Sequence, residues 1–295
     1  MKKQLNYLWK GSLIGIGFVA PGTSGGGFAA ILGLYETLIN AAKDMFSHPL
    51  KILKELWGLL LGVVIGIAFS FVVIFAIIKF APIPMTMLIV GFILGSTPKI
   101  YQETKVKKKV VWDYVAISIA IALTVILPLL PTQEATVHMN LVSIVILFAV
   151  GVVAAATLVI PGLSGSMVLM VLGFYFFFFN TIIDVVHALV NLELSTVLVT
   201  SYPLIPAFFG LVIGLFVLSK TMSHWLKTKR QRVYCVIFGA VISSPFSIAF
   251  AMIQEYKGQM QKNLVINLII GVVTLFFGLA LGYWMDKMET KHEQV

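Results

Sequence analysis

Long apolar stretches alternate with short polar segments along the whole chain, and this pattern predicts an all-helical protein. A helix needs about 20 mainly apolar residues to cross the hydrocarbon core of a membrane. Six runs are predicted to cross as helices. They cover 56–79, 84–98, 110–130, 203–222, 233–254 and 263–285.

Two further pairs of apolar runs surround glycine- and hydroxyl-rich breaks. The runs are 5–20 with 27–41, and 140–160 with 167–182. Pro21 and Pro161 each prevent a helix from continuing through the break, because proline lacks an N–H and clashes with the preceding turn. We predict two re-entrant hairpins with the breaks at their tips. The run 140–160 is long enough to cross fully, which is the alternative for the second hairpin.

The two halves of the chain repeat each other. Eight residues of the first hairpin recur 140 positions later, and Gly62–Gly66 resembles Gly210–Gly214. The eight are Pro21, Gly22, Ser24, Gly25, Leu32, Gly33, Tyr35 and Asn40. The sequence predicts one transmembrane domain built of two repeats, at about 1–135 and 140–290, each a hairpin plus three transmembrane helices. An odd number of crossings gives the repeats inverted topology.

Composition and charge support a multi-pass membrane protein. The chain has 295 residues, of which 59% are hydrophobic and 11% charged, whereas a soluble domain carries about 25% charged residues. The net charge of +9 does not indicate nucleic-acid binding, because the basic residues lie in short segments such as 99–109 and 220–232. Segments 131–139 and 183–199 contain no Lys or Arg. The positive-inside rule therefore predicts cytoplasmic termini, with the first hairpin entering from the cytoplasm and the second from outside.

The breaks are the candidate binding site. A helix that restarts after a break presents free N–H groups and a positive dipole end, which suit an anion. Glycines allow close backbone approach and hydroxyls add donors, although helix capping and small-residue packing are an alternative explanation. The predicted phosphate-binding residues are Gly22, Thr23, Ser24, Gly25, Gly26, Gly162, Ser164, Gly165 and Ser166.

Three residues next to the breaks are candidates for supporting roles. Glu36 lies in an apolar helix, where an ionisable group suggests function, although a residue reaching toward the interface is the alternative. The second repeat has Phe176 at this position, so any role of Glu36 is asymmetric. Tyr35 and Tyr175 are candidate hydrogen-bond donors to a ligand, or interfacial aromatics. With one cysteine, Cys235, and scattered histidines, the sequence predicts no metal site, no cofactor and no catalytic residue.

With both breaks in view, the chain resembles the PopT family of bacterial and archaeal polyprenyl-phosphate transporters. Paired Pro-Gly-x-Ser-Gly breaks followed by Leu-Gly-x-Tyr carry the resemblance, which covers essentially the whole chain. It implies a cytoplasmic-membrane protein that returns undecaprenyl phosphate from the outer to the inner leaflet for cell-wall polymer synthesis. The residues that match the motifs are Pro21, Gly22, Ser24, Gly25, Gly26, Tyr35, Glu36, Pro161, Gly162, Ser164, Gly165, Ser166 and Tyr175.

Moving a negative charge inward opposes an inside-negative potential by about 2.3 kcal/mol per charge per 100 mV. Co-transport of protons would offset this, and Glu36 is the candidate proton carrier. Partners are therefore the lipid phosphate, membrane lipids and, as a hypothesis, protons. The sequence does not fix the oligomeric state.

Two other functions fit the same pattern. Pro21–Ser24 also resembles the Pro-Gly-Thr-Ser-Arg motif of membrane undecaprenyl-diphosphate phosphatases, but Gly25 and Gly165 occupy the arginine position. No arginine lies near either break in the sequence, and the paired-glutamate motif of those enzymes is not evident. Phosphoryl transfer relies on cationic groups, so this favours binding without cleavage. A small-anion exporter is the third possibility.

Overall fold

A computed structural model describes the backbone of residues 2–19, 23–70, 77, 80–105, 108–131, 135, 137, 139–161, 163–260 and 263–292. The described residues are predominantly helical and contain no strand. The all-helical, polytopic prediction is confirmed at this level.

Within the described residues, the first half contains seven helices and a short 3₁₀ turn. They are α1 (Lys2–Val19), α2 (Gly25–Ile31), α3 (Tyr35–Asp44), α4 (Pro49–Phe69), α5 (Pro82–Gly95), α6 (Thr97–Glu103), α7 (Val111–Ile126) and the turn Leu127–Leu129. The described part of the second half contains another seven. They are α8 (Leu141–Val159), α9 (Gly165–Val171), α10 (Tyr175–Val190), α11 (Leu194–Ser201), α12 (Leu204–Thr228), α13 (Arg230–Met260) and α14 (Leu264–His292).

Each predicted hairpin helix after a break is divided in two. The helices predicted at 27–41 and 167–182 are not continuous. Helices α2 and α9 end at Ile31 and Val171, and new helices begin at Tyr35 and Tyr175. The physical reason is Gly33 and Gly173, which have φ angles of 67° and 84°. This left-handed conformation is accessible to glycine and ends a right-handed helix. The turn bends α9 and α10 by 110° relative to each other.

Seven helices of the described chain are long and apolar enough to cross a membrane. Six correspond to the predicted crossings: α4, α5 with α6, α7, α12, α13 and α14. The seventh is α8, the first arm of the second predicted hairpin. The length of α8 fits both a full crossing and one arm of a re-entrant hairpin, so the re-entrant arrangement stays a prediction.

Several of the polar segments between the predicted crossings are helical. Most of 183–199 belongs to α10 and α11, and much of 99–109 belongs to α6. The basic segment 220–232 is not a loop, because α12 continues to Thr228 and α13 begins at Arg230. Lys229 alone joins these two helices.

The helices pack in pairs that recur between the two halves. Helix α1 packs on α4 and α8 on α12, while α5 packs on α14 and α7 on α13. A Cβ atom on Gly62 would strike the carbonyl oxygen of Leu8, and one on Gly210 would strike that of Phe148. Glycine is needed there because the backbones approach too closely for a side chain. Leu8 and Phe148 are themselves 140 positions apart, so the same contact occurs twice.

The two hairpins differ in burial. In the first, Phe28, Ile31 and Tyr35 are all buried in the core. In the second, Phe176 and Phe179 are exposed. The first hairpin therefore lies inside the helical assembly, whereas part of the second faces outward.

Candidate functional site

The two breaks meet. A Cβ atom on Gly26, in the first turn of α2, would lie 3.3 Å from the carbonyl oxygen of Leu158 and 3.4 Å from Cα of Pro161. Gly26 therefore places the start of α2 directly against the end of α8 and the second break. The sequence repeat alone predicted two breaks, and the fold makes them neighbours.

The described hydroxyls of the first break are used within the protein. Thr23 is buried and its Oγ1 donates to the carbonyl oxygen of Gly17 at 2.7 Å. Ser24 is the N-cap of α2, and its Oγ accepts a hydrogen bond from the N–H of Gly27 at 3.0 Å. Gly25 is buried against the ring of Phe18. These contacts stabilise the restart of the helix, as a serine cap commonly does.

The second break is arranged differently. Ser164 is buried at the N-cap position of α9, and its Oγ lies 3.0 Å from Oγ of Ser166. Ser166 is exposed. A Cβ atom on Gly165 would lie 2.8 Å from Oγ1 of Thr157, so α8 lies close beneath this turn. The structure thus brings three of the predicted phosphate-binding residues together at this break.

Tyr35 joins the hairpins. Its side chain is buried, and its hydroxyl donates to the carbonyl oxygen of Val159 at 2.6 Å. Tyr175, its counterpart, lies against Phe176 and stacks on Phe179 with ring centroids 6.0 Å apart. The two tyrosines therefore have different surroundings in this structure, although they match in sequence.

Glu36 belongs to a charged cluster away from the breaks. Its Oε1 lies 2.6 Å from Nη1 of Arg230 and accepts a hydrogen bond from the hydroxyl of Tyr234 at 3.0 Å. Nε of Arg230 also donates to Glu103 at 3.1 Å. Helix α2 and the turn at Gly33 separate Glu36 from Ser24 along the chain.

A largely apolar cavity of about 490 Å³ reaches the second break. It is bounded by the break itself, by Tyr35 and by α7, α12 and α13. Its lining includes Ile160, Pro161 and Leu163 from the break and the cations Lys229 and Arg232. An apolar volume with a few polar groups at its ends is typical of a site for an amphipathic ligand.

A comparison with protein families matches residues 14–263 to the family described as undecaprenyl phosphate translocase-like. This covers most of the chain. The protein belongs to the undecaprenyl phosphate translocase-like family.

Two curated relatives of this translocase-like chain carry the name polyprenyl-phosphate transporter. The protein of Vibrio cholerae is 27% identical over 261 residues, covering 82% of this chain and 77% of the relative. The protein of Staphylococcus aureus is 24% identical over 295 residues, covering 95% of this chain and 96% of the relative. No solved structure gives a significant match.

The fold of this translocase-like protein gives both arginines contacts that their positions in the sequence did not indicate. No arginine lies near a break in the sequence, but Arg232 lines the same cavity as Pro161 and Leu163. Arg230 also brings Glu36 and Glu103 together, which no spacing indicated. The cavity thus contains an arginine, although neither break has one at the motif position. The sequence feature that could have indicated these contacts is that both arginines of the chain lie in 220–232, a segment interpreted above only in terms of membrane topology.

Three predicted residues of the translocase-like chain, Pro21, Gly22 and Gly162, lie outside the described residues. Among the described residues, no group of three or more His, Cys, Asp and Glu side chains is placed to hold a metal ion.

Proposed function

We propose that this protein is a polyprenyl-phosphate transporter that returns undecaprenyl phosphate from the outer to the inner leaflet for cell-wall polymer synthesis, without hydrolysing it. The observation that carries the proposal is the apolar cavity that ends at Pro161, where the second break meets the first. Its volume lies within the range of about 300–1,000 Å³ that is usual for ligand sites, so it suits the part of a polyprenyl chain nearest the phosphate. The names of both relatives agree with this substrate.

The phosphate is proposed to bind between the two breaks. Gly22, Gly25 and Gly26 from the first, and Gly162 and Gly165 from the second, allow the backbone to approach it. Thr23, Ser24, Ser164 and Ser166 add hydroxyls, although Thr23 and Ser24 make internal hydrogen bonds in this state. The short distance between Gly26 and Pro161 supports one shared site rather than two separate ones.

The chain is proposed to be one domain of two inverted repeats in the cytoplasmic membrane of a bacterium or archaeon, with both termini cytoplasmic. Recurrent helix pairing supports the repeat, because α1 with α4 corresponds to α8 with α12. The contact of Gly62 with Leu8 has its counterpart in Gly210 with Phe148. In transporters built this way, substrate binds at the interface of the repeats, and rocking of one repeat against the other exposes the site to each side.

Proton coupling is proposed through Glu36. The carboxylate is partly exposed, at 33% of its side chain, and is balanced by Arg230. Protonation of Glu36 would weaken this ion pair, which is one of the contacts between the first hairpin and α13. The cluster therefore offers a physical link between proton binding and a change of state.

Reconstitution into proteoliposomes tests the proposal. We expect uptake of labelled undecaprenyl phosphate, no release of phosphate from undecaprenyl diphosphate, and no exchange of small anions. A variant with Ser164→Ala and Ser166→Ala should transport more slowly. Ser201→Ala is its matched control, because Ser201 is a half-buried serine at the end of α11 whose hydroxyl bonds to Leu198 of the same helix at 3.4 Å. Phosphate release from the diphosphate would identify a phosphatase, and small-anion exchange without lipid movement would identify an exporter.

A further inference from the structure

The cavity has two chemically different ends, both bounded by α13. On this helix, Arg232 and Ala240 are the first and last residues that line the cavity. One turn further along, Val241 and Ser244 line a small pocket with Thr23 and Ser24 at the first break. Ala240 therefore marks the end at the breaks and Arg232 the opposite end. Eight residues of helix separate them by about 12 Å, at 1.5 Å per residue.

The end away from the breaks carries the positive charge. Lys229 occupies the joint between α12 and α13, and Arg232 lies one turn later. Within the described part of the chain, the side chain of Lys229 has no hydrogen-bond or ion-pair partner. Arg232 contacts Asp113 through Nε at 3.5 Å, and Gln231 donates to the other oxygen of Asp113 at 3.1 Å. Arg232 is thus paired with Asp113, and Lys229 is the cation at this end that no described carboxylate pairs with.

Between the two ends the wall is hydrocarbon. Helix α7 contributes Ile119 and Leu123, α12 contributes Met222 and Trp225, and α13 contributes Val236. Such a wall offers nothing to a free phosphate, and the cations offer nothing to a neutral prenol. A ligand that satisfies both has an apolar chain and an anionic headgroup.

We infer that Lys229 and Arg232 form a second headgroup site for a lipid phosphate, about 12 Å from the paired breaks along the same cavity. The inference rests on the proposed transport function and gives the lipid phosphate two binding positions in the cavity. At the first, the phosphate lies between the breaks. At the second, it lies on Lys229 and Arg232 while its chain follows the apolar wall, so that the lipid leaves the protein from this end.

The site is tested by binding to the purified full-length chain in detergent micelles, with farnesyl phosphate, farnesol and inorganic phosphate as probes in calorimetric titrations. Farnesyl phosphate should bind most tightly. Lys229→Gln should weaken its binding about tenfold, the change expected when one hydrogen bond to a charged group is lost. Lys227→Gln should leave binding unchanged, because Lys227 lies in the last turn of α12 but does not line the cavity.

Arg232 needs a conservative variant, because its loss also leaves the buried Asp113 without its cation. Arg232→Lys should retain most of the binding of farnesyl phosphate, and Arg232→Gln should reduce it about tenfold. Equal binding by Lys229→Gln and Lys227→Gln would overturn the site. Inorganic phosphate that binds as tightly as farnesyl phosphate would also overturn it, by showing a free-anion site.

Transport by the same variants separates the two proposals. If the wild-type chain moves undecaprenyl phosphate and Lys229→Gln matches Lys227→Gln in both binding and transport, the second site is wrong and the transport function stands. If the wild-type chain moves no lipid, the proposed function is wrong, whatever the binding result.

Discussion

The hydroxyl of Tyr35 donates a hydrogen bond to the carbonyl oxygen of Val159 across 124 positions of sequence, at 2.6 Å. Both residues are buried to 2% exposure. The bond connects the first turn of α3 to the last residue of α8, and so joins the first hairpin to the second break.

Tyr35→Phe should therefore destabilise the protein. It removes the donor of a buried hydrogen bond, and such a bond contributes about 0.5–1.5 kcal/mol. Thermal unfolding of the purified protein in detergent measures this loss. Tyr175→Phe is the matched control and should have a smaller effect, because Tyr175 is only partly buried and packs on phenylalanine rings. Equal losses in the two variants would contradict a special role for the Tyr35 bond.

Local patterns predicted much of this architecture. Runs of apolar residues located the six predicted crossings, because length and hydropathy are properties of a segment by itself. Proline and glycine located both breaks for the same reason. The turns at Gly33 and Gly173 were also visible as a repeated glycine, but a glycine within an apolar run does not reveal its φ angle.

Contacts between distant segments were beyond the sequence. Arg230 contacts Glu36 and Glu103 only because α12 packs beside α3 and α13 packs beside α6. Arg232 reaches the cavity because α12 and α13 are joined by a single residue, where the sequence indicated a basic loop. Long-range packing decides such neighbours, and one chain without its fold contains no direct signal of them.

Glu36→Gln should abolish the dependence of lipid transport on an imposed pH gradient. The amide cannot carry the proton, while its size and its bond from Tyr234 are retained. Stability should change by less than about 1 kcal/mol, since both members of the pair with Arg230 are partly exposed. Uptake by proteoliposomes with and without an acidic exterior is the measurement.

Glu103→Gln provides the control for Glu36. This substitution removes the second carboxylate that pairs with Arg230, and the side chains of Glu103 and Glu36 are similarly exposed. A purely structural effect of losing one ion pair should therefore appear equally in both variants. Only Glu36 lies on the first hairpin. Normal gradient-dependent transport by Glu36→Gln would exclude it as the proton carrier.

The paired glycines of α4 and α12 should respond alike to substitution. Gly62→Ala places a methyl group on the carbonyl of Leu8, and Gly210→Ala does the same at Phe148. Forcing these backbones apart should destabilise each variant by about 1–3 kcal/mol. Gly271→Ala is the control, since its nearest neighbour is a side-chain methyl group of Ile83 at 3.1 Å. Thermal unfolding compares the three, and a smaller loss at Gly62 and Gly210 than at Gly271 would contradict close helix packing.

Cysteine accessibility distinguishes a re-entrant second hairpin from a full crossing. The single native cysteine is buried, so Cys235→Ala gives a background for single exposed cysteines. Pro131→Cys and Asn191→Cys flank the segment from α8 to α10, and Lys108→Cys lies between α6 and α7.

If α8 and the helices after it enter and return on one side, Pro131→Cys and Asn191→Cys should both react with a membrane-impermeant thiol reagent in intact cells. Lys108→Cys should react only after permeabilisation, because the positive-inside rule places the basic segment in the cytoplasm. Labelling of Pro131→Cys without Asn191→Cys would show that this segment crosses the membrane an odd number of times. The two repeats would then no longer be inverted, and the phosphate site between the breaks would lose the symmetry on which two-sided access depends.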